Sequence, residues 1–470
     1  MRRHVRSCAV LLVLLAGCAN HAAPRTAPKT PGAGVVHEAS VRAHLEFLAS
    51  DALNGRGSGT RDEQIAAEYV GAQFRRLGLE PGGAAGSFVQ TIDVERRTVT
   101  APPILVVGTD AAPRARWTHG KEILVGTIAR EAVGGPLQRI DIKATPDPTV
   151  APGAAVLLLN GTPQDLGPLF RKGAAIVLTR ETPQARTRWQ NPRPVGLPRR
   201  LNDISEQPDR ATAITLSNEA ADALQAAPEG TAMRLDFRAS AKPERRQTYN
   251  AVGMLRGTDP SGDAILITSH LDHLGRRDTL PGPDKIFNGA DDDASGTVAV
   301  MEMAEALAMR GRPKRTVIFA SFGSEETGGA GAAYLLLKPP VPLEKMVANV
   351  EFEMIGRPDP AVPAHTLWLT GYERSDLGAE LAAHGARLVQ DPHPDQSFFT
   401  RSDNITLARR GVVAHTVSSF GLHKDYHQVS DETKTIDYAH MTESIVSMVA
   451  PLAWLANSTF KPQWKPGLRP

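Results

Sequence analysis

Five short clusters in the 470-residue chain combine histidines and carboxylates at spacings suited to holding a cation or moving a proton. The first is Ser269-His270-Leu271-Asp272-His273. A histidine with an acid two residues on can act as a ligand with its orienting partner. The second, Asn288-Gly289-Ala290-Asp291-Asp292-Asp293-Ala294-Ser295-Gly296, sets three consecutive aspartates where a helix is expected to begin. One carboxylate there caps the helix and favours its dipole, and three exceed that need. The third, Ser324-Glu325-Glu326-Thr327-Gly328-Gly329, puts two acids side by side in a turn. They repel each other in a solvated turn. With a cation between them they can divide the work of base and ligand. The fourth, Val350-Glu351-Phe352-Glu353-Met354-Ile355-Gly356, places two acids in an apolar strand, on one face by alternation. A buried carboxylate needs a partner. The fifth, His423-Lys424-Asp425-Tyr426-His427, adds imidazoles in a late loop.

These clusters need elements to bring them together. From residue 250 onward, strand-like runs alternate with helical spacing: strands at 264–269, 316–322, 347–353 and 412–417, helices at 295–310, 329–337, 375–387 and 436–456. That alternation predicts a mostly parallel central sheet covered by helices on both faces, an α/β architecture. Ligands bind such sheets beyond the carboxyl ends of the strands, where the clusters fall. Upstream, 38–49 and 61–77 have helical spacing and flank a glycine-rich connector, Asp51 to Thr60. The connector lacks the Gly-Lys-Ser/Thr end of a phosphate loop. Between about 110 and 245 the character changes to short strands (154–159, 174–178, 231–237), helical pieces near 164–172 and 217–226, and an exposed Pro- and Arg-rich loop at 183–200.

Composition narrows the chemistry. Fifty-three basic and 51 acidic side chains leave a formal charge of +2, without the basic excess of a nucleic-acid binder. Of 14 histidines, nine lie from His270 to His440 and none lies between residues 120 and 269, so the middle segment is a poor site for metal chemistry. Both cysteines, Cys8 and Cys18, fall in the first 20 residues, so any metal must be held by His, Asp and Glu. Those first residues carry a basic start and a short apolar run, the marks of an export signal and too short to span a bilayer. Leu15-Ala16-Gly17-Cys18 resembles a bacterial lipobox. The resemblance implies cleavage before Cys18, lipidation of its thiol and, with Ala at 19, an outer-membrane anchor facing the periplasm.

The ordered set of clusters resembles the M28 zinc aminopeptidases, co-catalytic metallopeptidases. The match runs through His270-x-Asp272, Gly289 to Gly296, Glu325-Glu326, the strand ending at Glu353-Met354, and Tyr426-His427. Gly55-Arg56-Gly57 resembles the family's N-terminal portion, and the segment 110–245 resembles a protease-associated (PA) insert of β-rich α+β type. The resemblance implies a division into signal peptide (1–17), lipidated tether (18–36), N-terminal part of the peptidase (37–109), insert (110–245), catalytic part (246–460) and tail (461–470).

Carried over residue by residue, the resemblance implies two divalent ions, most simply Zn²⁺. His270 and Glu353 would hold one, His427 and Glu326 the other, and Asp291 would bridge them. Asp272 would orient His270, Glu325 would be the general base, and Tyr426 would help hold the developing oxyanion. The family usually has Asp where this chain has Glu353, and Glu351 is a competing carboxylate. Two ions about 3.5–4 Å apart would acidify a shared water, from which Glu325 takes the proton. The expected substrates are peptides with a free N-terminus. Glutaminyl cyclisation, or a binding module on a dead peptidase scaffold, are the alternatives. The complete ligand set, including His270 and the base, argues against both. The remaining late histidines, His273 and His423 among them, are expected in ordinary structural roles.

Overall fold

A computed structural model describes residues 36–470 apart from 110–112, 163–164, 191–199, 202–211 and 228–231. The expected signal peptide and lipidated Cys18 lie outside the described residues. Two helices come first, α1 (Glu38–Leu48) and α2 (Arg61–Arg76). The Thr60 side chain accepts from Glu63 N at the start of α2, Asp62 and Glu63 occupy its first turn, and Arg75 and Arg76 its last. Cap and charges thus both suit the helix dipole. Its face Ala66, Val70 and Phe74 is buried in the core.

Two long strands follow, β1 (Val89–Thr109) and β2 (Met233–Leu255), paired antiparallel along most of their length. Beyond the ribbon they form, a second sheet continues β2 through Ala132–Asp141, Ala155–Leu159, Ile176–Arg180 and Thr212–Leu216, the last four mutually parallel. Leu105, Ile123, Leu157, Ile176, Leu235 and Phe237 give this region its own core. Of the expected loop 183–200, Pro183–Gln190 is a helix and 191–199 lies outside the described residues.

The site rests on four parallel strands: β3 (Ala264–His270), β4 (Thr316–Phe322), β5 (Met346–Phe352) and β6 (Val413–Ser418). Their spatial order is β6-β5-β3-β4, with β2 antiparallel beyond β4. Every residue of β3 and β4 is buried, so both read as unbroken apolar runs, as parallel strands covered on both faces must. Ile265, Ile267, Val317, Phe319, Val350 and Phe352 face a core shared with α1, α2, α3 (Gly296–Ala308) and α5 (Tyr438–Asn457). Leu266, Ile318 and Phe322 face the other way, onto α4 (Ala330–Leu337). The chain passes from β3 to one side to build β4, then crosses to the other to build β5. The crevice over β3 is therefore where an α/β sheet takes its ligand. No helix among the described residues is long and apolar enough to cross a membrane.

Candidate metal centre

His270 ends β3, and its orientation is fixed from behind. Its Nδ1 lies 3.1 Å from the carbonyl oxygen of Asp272. Donation there leaves the Nε2 lone pair facing the crevice, where Asp292 Oδ1 lies 3.2 Å away. The Asp272 carboxylate has another task. Its Oδ1 accepts from Glu325 N at 3.0 Å and its Oδ2 from Ser58 Oγ at 2.5 Å. Asp272 thus orients His270 through its backbone, and its carboxylate pins the turn that carries Glu325. That turn opens at Ser324, whose φ of 63° is left-handed; its amide donates to Glu63 Oε1 at 3.1 Å.

The three aspartates separate. Asp291, expected to bridge two metals, points away from the crevice. Its Oδ1 accepts from Gly356 N at 2.7 Å and from Ser295 Oγ at 3.3 Å, and its Oδ2 lies 2.9 Å from His423 Nε2. These bonds engage both of its oxygens. Asp293 turns to the backbone, accepting from Gly296 N and Met354 N at 3.0 Å and His270 N at 3.2 Å. Asp292 alone enters the crevice, between His270 on one side and His427 on the other. The structure thus brings Asp292 and not the expected Asp291 into the crevice: at a helix start, neighbouring side chains point in different directions, and backbone donors claim the outer two.

The ligand atoms of His270, Asp292 and Glu353 lie within 4.8 Å of one another, as do those of His273, Asp292 and Glu326. His427 Nε2 stands 3.2 Å from Asp292 Oδ2 and 3.3 Å from Glu326 Oε2. Glu353 lies just past the end of β5, where its amide donates to Val417 O at 3.1 Å. Glu351 is near but in neither group: its Oε2 accepts from Asn404 N at 2.7 Å and Thr416 Oγ1 at 3.1 Å. Tyr426 stacks on His427 with ring centroids 3.9 Å apart, and its hydroxyl is 3.4 Å from Arg401 Nη2. It lines the pocket and braces an imidazole.

The donor set fits a divalent cation on physical grounds. His270 Nε2, both His273 nitrogens, Asp292 Oδ2 and Glu326 Oε1 are buried without a hydrogen bond. Leaving such groups unpaired is costly, and ligation removes the cost. The electrostatics agree. Burial pushes the Glu325 carboxyl well up, against the pull of His270 and with help from Asp403, Glu353 and Glu326. Burial works against the His427 imidazolium, but Asp292 and Glu326 outweigh it and raise its pKa to about 9. Burial likewise raises Asp403 to about 7. Nitrogen and oxygen donors without thiols suit Zn²⁺ and similar ions.

A second layer holds these loops. Asp431 accepts from the amides of Asp291 and Asp292 at 3.1 Å and pairs with Arg357 at 3.0 Å; Arg357 also reaches Asp425 at 2.8 Å. Arg56, 1 % exposed, donates to the carbonyls of Leu48, Leu271, Asn288 and Gly289 at 2.5–2.9 Å. Burial lowers its pKa to about 10, so it stays charged. The residue types of Arg56, Arg357 and Asp431 gave no signal of these roles, because their partners are backbone groups or distant in sequence.

Beside the donors opens a cleft of about 490 Å³, its solvent-filled mouth included, walled by Met354, Trp368, Phe398, Phe420 and Tyr426 and reached by Glu325, Glu326 and Glu353. Trp368 is held from below by Asp359, which accepts from its Nε1 at 3.0 Å and lies 2.8 Å from His393 Nε2.

Parallel strands ending on a clustered His and carboxylate site beside an apolar pocket define an α/β fold with a metallohydrolase-like centre. Residues 250–450 match the model of peptidase family M28. Among curated proteins, it is 40% identical over 86 residues to a probable zinc metalloprotease of Leptosphaeria maculans, covering 18% of this chain and 19% of that one. It is 31% identical over 116 residues to leupeptin-inactivating enzyme 1 of Streptomyces exfoliatus, covering 24% of each. The chain thus spans a fifth to a quarter of the length of these relatives. Among solved structures, the aminopeptidase from Aneurinibacillus sp. strain AM-1 aligns with a TM-score of 0.54 at 18% identity, over 93% of this chain and 96% of that one. That likeness extends the shared fold to nearly the whole chain.

Proposed function

We propose that the protein is a metal-dependent aminopeptidase that removes the N-terminal residue of peptides with two divalent ions, most simply Zn²⁺. The observation that carries this is the pair of ligand groups sharing Asp292, with Glu325 beside them at an apolar pocket. His270, Asp292 and Glu353 would hold one ion; His427, Asp292 and Glu326 the other. Bound ions supply Lewis acidity and a water that loses its proton near neutral pH. The chain's own groups do the rest. Glu325 takes that proton and returns it to the leaving amine. Its turn is fixed by Asp272 and Ser324, so the carboxyl is positioned before substrate arrives. The carboxylates near the pocket mouth attract a protonated α-amino group, and the walls of Met354, Trp368, Phe398 and Phe420 receive an apolar first side chain. The completeness of both ligand groups disfavours glutaminyl cyclisation.

The finer assignments belong to the same proposal. Residues 1–17 act as an export signal and Cys18 carries the lipid that anchors the chain at the outer membrane, facing the periplasm. The segment 110–245 is a PA-like insert without catalytic groups.

The test is amino-acid release from a panel of aminoacyl amides and peptides, with chelator and after Zn²⁺ return. Release from free N-termini, abolished by chelation and restored by metal, is expected. Equal cleavage of N-acetylated peptides, or full activity in chelator, overturns the reading.

A further inference from the structure

The two ligand groups are not equivalent, and His273 is the cause. Its side chain is wholly buried. Neither ring nitrogen has a hydrogen bond. Its Nδ1 lies 2.8 Å from Glu326 Oε1 and 3.8 Å from Asp292 Oδ2. These are the two carboxylates that His427 Nε2 approaches at 3.2 and 3.3 Å. The rings of His273 and His427 stand 5.7 Å apart, inclined at 65°. Two imidazoles thus converge on one pair of carboxylates.

The His273 ring is also held in that direction. Its amide donates to Arg56 O at 3.1 Å, within the backbone clasped by the Arg56 guanidinium. Its ring packs on Gly289, where an added Cβ would sit 2.6 Å from Cγ and Cδ2. Only a glycine leaves room for the imidazole there. A buried imidazole that is fixed, unbonded and aimed between two carboxylates has the environment of a ligand.

We propose that His273 is a ligand of the ion on the Glu326 side. This rests on the metal-dependent reading above. That ion then has four protein donors, His273, His427, Asp292 and Glu326, a closed set of the kind that holds structural zinc. The ion on the other side has three, His270, Asp292 and Glu353, and keeps an open position. The Glu326 side therefore fills first and releases its ion last, and the Glu353 side exchanges.

The test is metal titration of the full chain with Zn²⁺ and of its His273→Ala variant, with bound metal counted after dialysis against buffered free Zn²⁺. The wild-type protein is expected to bind two ions of unequal affinity. His273→Ala is expected to weaken the tighter one by on the order of 100-fold, judged from the losses that even indirect ligand-orienting changes cause. Unchanged affinity at both positions overturns the proposal. Should the variant fold poorly, the wild-type protein labelled with ¹⁵N-histidine and loaded with ¹¹³Cd²⁺ gives an independent count. Three imidazoles coupled to cadmium support the proposal; coupling confined to His270 and His427 overturns it. A single bound ion coupled to His273 refutes the two-ion count and upholds His273. Two bound ions with His273 uncoupled do the reverse.

Discussion

Asp291 and Asp292 are neighbours with opposite orientations, and replacing each by Asn separates a ligand from a scaffold group. Asp292 is the only carboxylate common to both ligand groups. Asp292→Asn removes one negative charge from each position and leaves an amide oxygen, a far weaker donor to a hard cation. Losing a ligand shared by both ions is expected to cost each at least 100-fold in affinity, about 2.7 kcal/mol per ion. At submicromolar free Zn²⁺ the bound metal then falls from two equivalents towards none. Asp291→Asn has a different ledger. The amide oxygen can still accept from Gly356 N, while the new NH₂ faces His423 Nε2, now 2.9 Å from Asp291 Oδ2. His423 can answer by presenting a lone pair. Bonds to a charged acceptor become neutral ones, a loss of about 1–3 kcal/mol of folding stability. Elemental analysis after dialysis, with urea unfolding on the same samples, reads both quantities. Two equivalents in Asp292→Asn, or metal loss in Asp291→Asn matching that of Asp292→Asn, refutes the assignment.

Two further outcomes follow from buried carboxyls. Glu325→Gln keeps its bond from the backbone to Asp272 and should retain wild-type metal content while turnover falls by about 10²–10⁴-fold; wild-type kcat removes Glu325 as the base. Glu302 on α3 is buried, with His44 Nε2 3.9 Å from its Oε1, and burial raises its pKa to about 7 against the pull of the Ser40 hydroxyl. The folded chain therefore holds this proton where the unfolded chain has lost it, so its contribution is present below about pH 4.5 and is lost as pH rises through 7, on the order of 3 kcal/mol. Glu302→Gln abolishes that slope, so urea unfolding should show it gaining on the wild type from pH 5 to pH 8; a pH-independent difference contradicts this.

The sequence revealed the site's address better than its wiring. The four parallel strands were legible because burial on both faces makes them unbroken apolar runs, and all begin and end within a residue or so of the expected positions. Their carboxyl ends then gathered the right clusters. Of the ribbon of β1 and β2, the sequence marks only the apolar run at 103–107 and the strand expected at 231–237. Its middle, Ala239 to Gln247, is polar and mostly exposed, so no apolar period marks it and only the partner strand makes it extended. Within the aspartate triplet, composition cannot say which side chain faces the crevice, since that depends on partners at Gly356 and His423 and on the Asp431 carboxylate that accepts from the triplet's amides, up to 140 residues away. His273 reads as structural in the sequence for the same reason. Its meaning lies in Glu326, which is 53 residues later.

The chain's charge is nearly balanced, yet Asp272, Asp292, Asp293, Glu351 and Asp403 are all buried around one crevice with Glu325, Glu326 and Glu353 beside them. Burial pushes the Asp293 and Glu351 carboxyls well up, and neighbouring acids add to the push. Such a concentration of like charge would open the loops that carry it. The chain answers with fixed donors: Arg56 grips four carbonyls, Arg357 ties Asp431 to Asp425, and backbone amides take up Asp291 and Asp293. Those contacts supply donors to Asp291, Asp293 and Asp431, while Glu351 Oε1 and Asp403 Oδ2 stay buried without one. At the crevice, the oxygens left without a donor are Asp292 Oδ2 and Glu326 Oε1, which the imidazoles of His427 and His273 approach. The scaffold has neutralised what it can from behind, and the charge it leaves uncompensated is the charge that a cation would take.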